Sequence, residues 1–252
     1  MSQNNTIVGG YVNPLAFSPV LWIDFADAST VTTSSGLITQ VVGKGSGGYV
    51  FSQATPGFRP AYISAGLNGL NLARFDGTND VLGIGTNNLL RNVTGATVYV
   101  VRRVNSVTAN NNGLFAVSNN TGSGARGYIF SMGTTGLAAI GGRTLDADSF
   151  ANASSAGSVT TGVYRTHVGV FDYANTDAFQ YINTGLDGSN LSFQAATTTS
   201  NTASFAGFIG SASGGINQFH LGDICEILVY HSAHNTATRT SITQYLRAKW
   251  GI

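Results

Sequence analysis

The stretch GDICEILVY (222–230), a short polar link HSAHN (231–235) and the closing run TATRTSITQYLRAKWGI (236–252) decide the fold. Ile224, Ile227, Leu228, Val229 and Tyr230 form a β-favouring run without an internal breaker, which predicts a strand. In the closing run Ile242, Tyr245, Leu246 and Trp250 recur at the i, i+3, i+4, i+8 spacing that lines one face of a helix. Asn235 or Thr236 supplies an N-cap, and Gly251 stands where a helix stops. Alternation makes Asp223 and Glu226, three residues apart, point to opposite faces of the strand.

Working outward, the composition is that of a strand-rich chain. Of 252 residues only 9% are charged, with a single glutamate (Glu226) and two lysines (Lys44 and Lys249). An average globular protein has about 25% charged residues. Good helix formers are scarce, whereas Gly, Ser, Thr, Asn and Val suit short strands joined by tight turns. Strand patterns recur at 20–32, 71–77, 96–104, 113–119, 126–133, 136–142, 164–172, 178–184, 191–197 and 203–210. Turn signals punctuate them at Asp76-Gly77, Asn112-Gly113, Asp187-Gly188 and Gly214-Gly215. The polar stretches 143–162 and 196–204 read as excursions at the sheet ends. GKGSGG (43–48) is a hairpin turn, because it lacks the P-loop order and no helix follows it. These features predict an all-β, two-sheet antiparallel sandwich with one C-terminal α-helix.

Residues 20–252 form the domain, preceded by an extended arm, residues 1–19. Its apolar Tyr11, Leu15 and Phe17 are expected to pack on a neighbouring subunit. Net charge is +1 and the arginines are scattered, with Arg102-Arg103 the sole basic pair. A nucleic-acid partner is not expected, since it requires a basic stripe with interleaved aromatics. One cysteine, Cys225, excludes an internal disulfide, and its place among apolar residues makes it a buried thiol. No segment reaches the ~20 apolar residues of a membrane helix. The first twenty residues lack the basic start and apolar core of a secretory signal, so the chain is expected to fold in the cytoplasm of its host cell.

Several blocks, in order, resemble the concanavalin A-like lectin/glucanase superfamily, specifically laminin-G-like modules of phage and bacterial surface proteins. LWIDFADASTVT (21–32) is similar to their opening strand and acidic turn, and ARFDGTNDVL (73–82) to their FDG-x-x-D turn. YRTHVGVFD and YINTGLDG (164–188) resemble their paired strands, and GDICEILVY with YLRAKWGI their closing strand and helix. The resemblance implies a jelly-roll sandwich and leaves the ligand open, because one fold hosts lectins, glycosidases and assembly modules.

A retaining glycosidase needs two carboxylates about 5–5.5 Å apart. Glu226 has no second glutamate to pair with and nothing in the sequence marks an Asp pair on separate strands, so catalysis is not expected; Glu226 reads as a carboxylate that pins a loop or the terminal helix by hydrogen bonds. His231, His234 and Asp223 form a weak H-x-x-H pattern without a metal-site frame. Calcium is the one cofactor considered: Asp76, Asn79 and Asp80 offer hard oxygens on a turn. The competing reading has these side chains bonding their own backbone. For a sugar ligand the stacking candidates are Tyr49, Tyr128 and Phe150. The resulting expectation is a non-enzymatic virion protein, a capsid-decoration or tail-attachment subunit. Its partners would be other virion proteins, its own copies in a homo-oligomer, or a cell-surface glycan. A free carbohydrate-binding module is the alternative, and a glycoside hydrolase the third.

Overall fold

The computed structural model describes residues 10–107, 112–118, 126–131, 136–202, 205–213 and 215–252, without the side chains of Asn112, Tyr128, Phe130, Ser131, Ser158 and Ser213. The chain opens with a 3₁₀ turn at Pro14–Phe17 and strands β1 (Leu21–Asp24), β2 (Val31–Ser34), β3 (Leu37–Val42), β4 (Val50–Ser52) and β5 (Ala61–Leu67). It continues through β6 (Leu70–Asp76), β7 (Leu82–Thr86), β8 (Ala96–Val104), β9 (Asn112–Ser118), β10 (Gly127–Ser131), β11 (Leu137–Gly142) and β12 (Ala151–Ser158). The last strands are β13 (Tyr164–Asp172), β14 (Asp177–Ile182), β15 (Gly185–Asn190), β16 (Ala206–Ile209), β17 (Ser211–Ser213), β18 (Asn217–Phe219) and β19 (Leu221–Tyr230). Helix α1 (Thr236–Trp250) closes the chain.

All pairings are antiparallel. The back sheet runs β5–β6–β19–β8–β13–β14–β15, with β1 taking over from β6 along the second half of β19. The front sheet runs β2–β3–β4–β7–β16–β9–β10–β11–β12. Among the described residues a single strand pair, Leu37 with Ala61, stitches the two together. This is a two-sheet jelly-roll sandwich. Its main core lies between the sheets, where Val98, Val100 and Ile227 meet Phe115, Ile129 and Ile140. A second apolar layer lies on the outer face of the back sheet, where Tyr99, Leu228 and Tyr230 meet Ile242, Leu246 and Trp250 of the helix.

The helix begins and ends where its caps dictate. The Asn235 carboxamide accepts the Thr238 N–H at 3.0 Å, and Gly251 takes the left-handed conformation (φ 67°) that releases the chain. Elsewhere three local readings fail for physical reasons. Asn112-Gly113 and Asp187-Gly188 lie inside β9 and β15 rather than in turns. A Cβ on Gly113 would stand 1.9 Å from the Ala212 backbone nitrogen, and one on Gly188 2.2 Å from the Ser154 carbonyl. Both glycines thus permit close approach of a neighbouring backbone. The segment 191–197 forms turns, not a strand: Phe193 is buried beside Phe171 and Tyr173, while Leu191 is 66% exposed. Conversely, β12 arises inside the polar stretch 143–162, its small residues seating it between β11 and β15.

β19 carries the most consequential departure. Ile224 pairs with Arg102 and Glu226 with Val101, so Cys225 is an extra, bulged residue. The bulge resets the alternation: Ile224 and Ile227 face the inter-sheet core, while Cys225, Leu228 and Tyr230 face the helix. Asp223 and Glu226 therefore share the helix-facing side of the strand, contrary to the expectation from simple alternation.

Candidate functional site

The strongest concentration of polar chemistry lies where β1, β19, the β3–β4 turn and α1 converge. Antiparallel register places Asp24 opposite Glu226. Glu226, fully buried, accepts the Trp22 indole N–H at 2.7 Å on one oxygen. Its other oxygen accepts the Trp250 indole N–H and the Lys249 ammonium, both at 2.7 Å. Lys249 reaches Asp24 at 2.7 Å as well, and Lys44 of the hairpin turn bonds Asp24 at 2.6 Å and Asp27 at 3.4 Å. The chain's two lysines and single glutamate thus meet in one network. Burial pushes the Glu226 carboxyl up, against the pull of Lys249. Burial alone would lower Lys249, but Glu226 and Asp24 hold it well above its usual range. Three donors and no acceptor face Glu226, so the ionised carboxylate fits the geometry.

A surface cleft of about 520 Å³ opens onto this network. Tyr11 and Asn13 form one wall, Tyr245 and Ala248 of the helix another, and Trp22, Asp24, Lys44 and Lys249 the floor. Lys44 lies 3.9 Å over the Trp22 ring, a cation–π contact that holds both side chains in place. A second hollow of about 440 Å³, lined by Gln244, Arg247 and Gly251, shares Tyr11 and Ala248 with the first. Together they make an elongated groove along α1. Its chemistry is that of binding: aromatic rings, an amide, ammonium donors and a carboxylate. Asp24 and Glu226 straddle one ammonium, yet Glu226 has no exposed surface and both its oxygens are engaged. It therefore cannot present a proton to a glycosidic oxygen.

The residues singled out from sequence fall in several places. Tyr49 sits at the β3–β4 turn, packed against Gly47 and the inter-sheet core, and burial raises its phenol. Phe150 covers Gly141 beside Ala116, Ala139 and Ala212 on the outer face of the front sheet. The Tyr128 side chain lies outside the described part of the molecule. Neither Tyr49 nor Phe150 lines the groove. In the turn considered for calcium, the Asp76 carboxylate accepts the N–H groups of Thr78 (2.8 Å) and Asn79 (3.2 Å), and Asp80 accepts the Asp76 N–H (2.9 Å). These side chains shape the turn, and burial, with the nearby Asp76 charge, raises Asp80 to about 6. Among the described residues no three His, Cys, Asp or Glu side chains form a metal-binding group.

The arm from residue 10 onward lies on its own domain, and residues 1–9 fall outside the described set. Pro14 is buried with its carbonyl accepting the Tyr230 hydroxyl at 3.3 Å, and Phe17 packs on the helix-side cluster near His234. Tyr11 and Leu15 remain 39% and 46% exposed. His234 bonds the Tyr99 hydroxyl and His231 the Leu89 carbonyl, while Asp223 is held by Arg74, Arg103 and Tyr164. The polar loops are tied together by Arg126, which pairs with Asp146 and donates to the Ser200 and Thr202 carbonyls. The groove residues Trp22, Asp24, Lys44, Tyr245 and Lys249 escaped the sequence reading as a site. The available signal was rarity: so few lysines and glutamates invite the question of where they meet.

No family model and no curated relative matches the sequence. Solved structures do match in shape. Domain 4 of AbnA, a GH43 extracellular arabinanase from Geobacillus stearothermophilus, in complex with arabinotriose, aligns with a TM-score of 0.61 at 14% identity, over 90% of this chain and 98% of that one. The native heptameric SAP-like pentraxin from Limulus polyphemus aligns at 0.52 and 17%, over 68% and 80%. The CBM40 domain of the Ruminococcus gnavus IT-sialidase, bound to α2,3-sialyllactose, aligns at 0.50 and 18%, over 60% and 83%. Likeness at this identity establishes the fold, a jelly-roll β-sandwich.

Proposed function

We propose that this chain is a non-catalytic glycan-binding module that holds an oligosaccharide in the groove along α1. The observation that carries this reading is the composition of the groove. Tyr11 and Tyr245 offer ring faces to a pyranose or furanose, and Asn13, Lys44, Lys249 and Asp24 offer the directional partners that fix its hydroxyls. Two adjoining hollows that share Tyr11 favour several linked sugars over a single one. Arabinotriose and α2,3-sialyllactose in complexes of similarly shaped domains add support from the fold alone.

A glycan array followed by calorimetry tests it. Tyr11→Ala and Tyr245→Ala should each weaken the best oligosaccharide about tenfold or more, roughly 1.4 kcal/mol. An array without a hit at high protein concentration, or binding unchanged in the double variant, removes the reading.

Within this reading, the narrower role we favour is attachment or decoration on a virion, the chain being made in the host cytoplasm and assembled with its own copies or other virion proteins. Its support is the resemblance to phage surface modules and the apolar face of the arm, where Tyr11, Val12 and Leu15 are each more than a third exposed. A Val12→Ser/Leu15→Ser variant keeps Pro14 and Phe17 in place and should lose self-association or particle incorporation. Unchanged behaviour in light scattering and in particles would count against an assembly role for the arm.

A further inference from the structure

At the opposite side of the back sheet, facing the inter-sheet space, the polar groups are not balanced. Arg102 of β8 and Arg165 of β13 stand directly opposite each other in antiparallel register. Like charges so placed repel. Arg102 is 1% exposed, and its Nε and Nη1 have no hydrogen-bond partner among the described residues. Both arginines line a cavity of about 150 Å³ between β8, β13 and β14 on one side and β11 on the other. Gly157 and Thr160, both exposed, lie at its mouth. The single carboxylate lining it is Asp187, which accepts the Gln180 amide N–H at 3.2 Å.

The neighbouring imidazoles do not alter the charge balance. Burial, with Arg102 adding to it, lowers His167 to about 3 and His220 to about 4, so both are neutral near pH 7. Two guanidinium groups then face one carboxylate. A buried guanidinium without a partner is costly, and guanidinium groups match oxyanions in geometry and charge. Water would satisfy donors but leave the charge. Room for roughly five waters accommodates a carboxylate or sulfate group.

We propose that this cavity is a subsite for a small oxyanion, a carboxylate or sulfate group, that enters past Gly157 and Thr160 and pairs with Arg102 and Arg165. The anion arrives either free or as the acidic substituent of a saccharide. The subsite shares no residue with the groove along α1, so each stands or falls on its own.

Calorimetry and thermal unfolding of the full chain with sodium acetate, sodium sulfate and glucuronate, against chloride and glucose at constant ionic strength, test the proposal. Saturable binding of acetate or sulfate at low millimolar concentration is expected, with none for chloride or glucose. Arg165→Gln should weaken it at least tenfold, and Asp187→Asn, by removing the competing carboxylate, should strengthen it threefold or more. Glucuronate bound tenfold tighter than acetate would assign the anion to a saccharide, and equal affinities to a free ion. Arg102→Met should abolish binding; if that variant does not fold, the less buried Arg165 decides. No saturable response, or an Arg165→Gln protein that responds like the parent, overturns the proposal. Tyr245→Ala should weaken oligosaccharide binding while the anion response persists.

Discussion

The two faces of the back sheet bury charge in opposite ways. On the helix side, Glu226, Asp24, Lys249 and Lys44 form a closed set in which every carboxylate oxygen of Glu226 has a donor and each ammonium has a carboxylate. On the core side, Arg102 has two nitrogens, Nε and Nη1, without a partner among the described residues and another arginine opposite it. One sheet thus carries a finished network on one face and an unfinished one on the other. The difference separates a group that holds the fold together from a group that the fold tolerates. Stability selects for the first; the second costs stability and calls for a ligand.

Breaking the finished side should have the largest effect. Glu226→Ala strands Lys249 and two indole N–H groups, and should cost about 3–5 kcal/mol, read as a fall in the urea midpoint at unchanged m. A loss below about 1 kcal/mol would show that the latch is not a coupled unit. On the unfinished side acid provides the probe. His220, at about 4 when folded against an ordinary 6.5, contributes stability that is full above pH 6.5 and is lost as the pH falls towards 4. The loss is on the order of 2–3 kcal/mol. His220→Leu should flatten that decline in urea titrations run between pH 7 and 4. Smallest, and opposite in sign to the first, Arg102→Met should leave the anion-free protein unchanged or raise its stability by about 1 kcal/mol or more. A loss comparable to that of Glu226→Ala would mean that both sides of the sheet are equally built for stability.

Much of the fold was legible. Strands β8 and β13 fall where 96–104 and 164–172 predict them, and α1 runs between its predicted caps. These elements carry their own signals, a β-favouring run or a 3.6-residue period with capping residues. What failed was information that resides in a neighbour. Gly113 and Gly188 read as turn formers because their reason, an adjacent backbone, is invisible in one dimension. β12 lacked β-favouring residues because it is held by its partners rather than by its own preference. The candidate site was less legible than the fold. The structural role of Glu226 was read, but not its opposition to Asp24 or the groove formed by Tyr11 and Tyr245.

By itself the sequence determined the class of the molecule: an all-β sandwich closed by one helix. Periodicity, capping and composition act over a few residues and can be read locally. The tertiary structure alone decided where each charge finds its partner. One bulged residue, Cys225, turns Glu226 towards the helix together with Asp223, and strand register sets Asp24 against Glu226 and Arg165 against Arg102. Charge compensation depends on distances of a few ångströms between segments far apart in the chain. Those distances are fixed by register, which no local pattern contains.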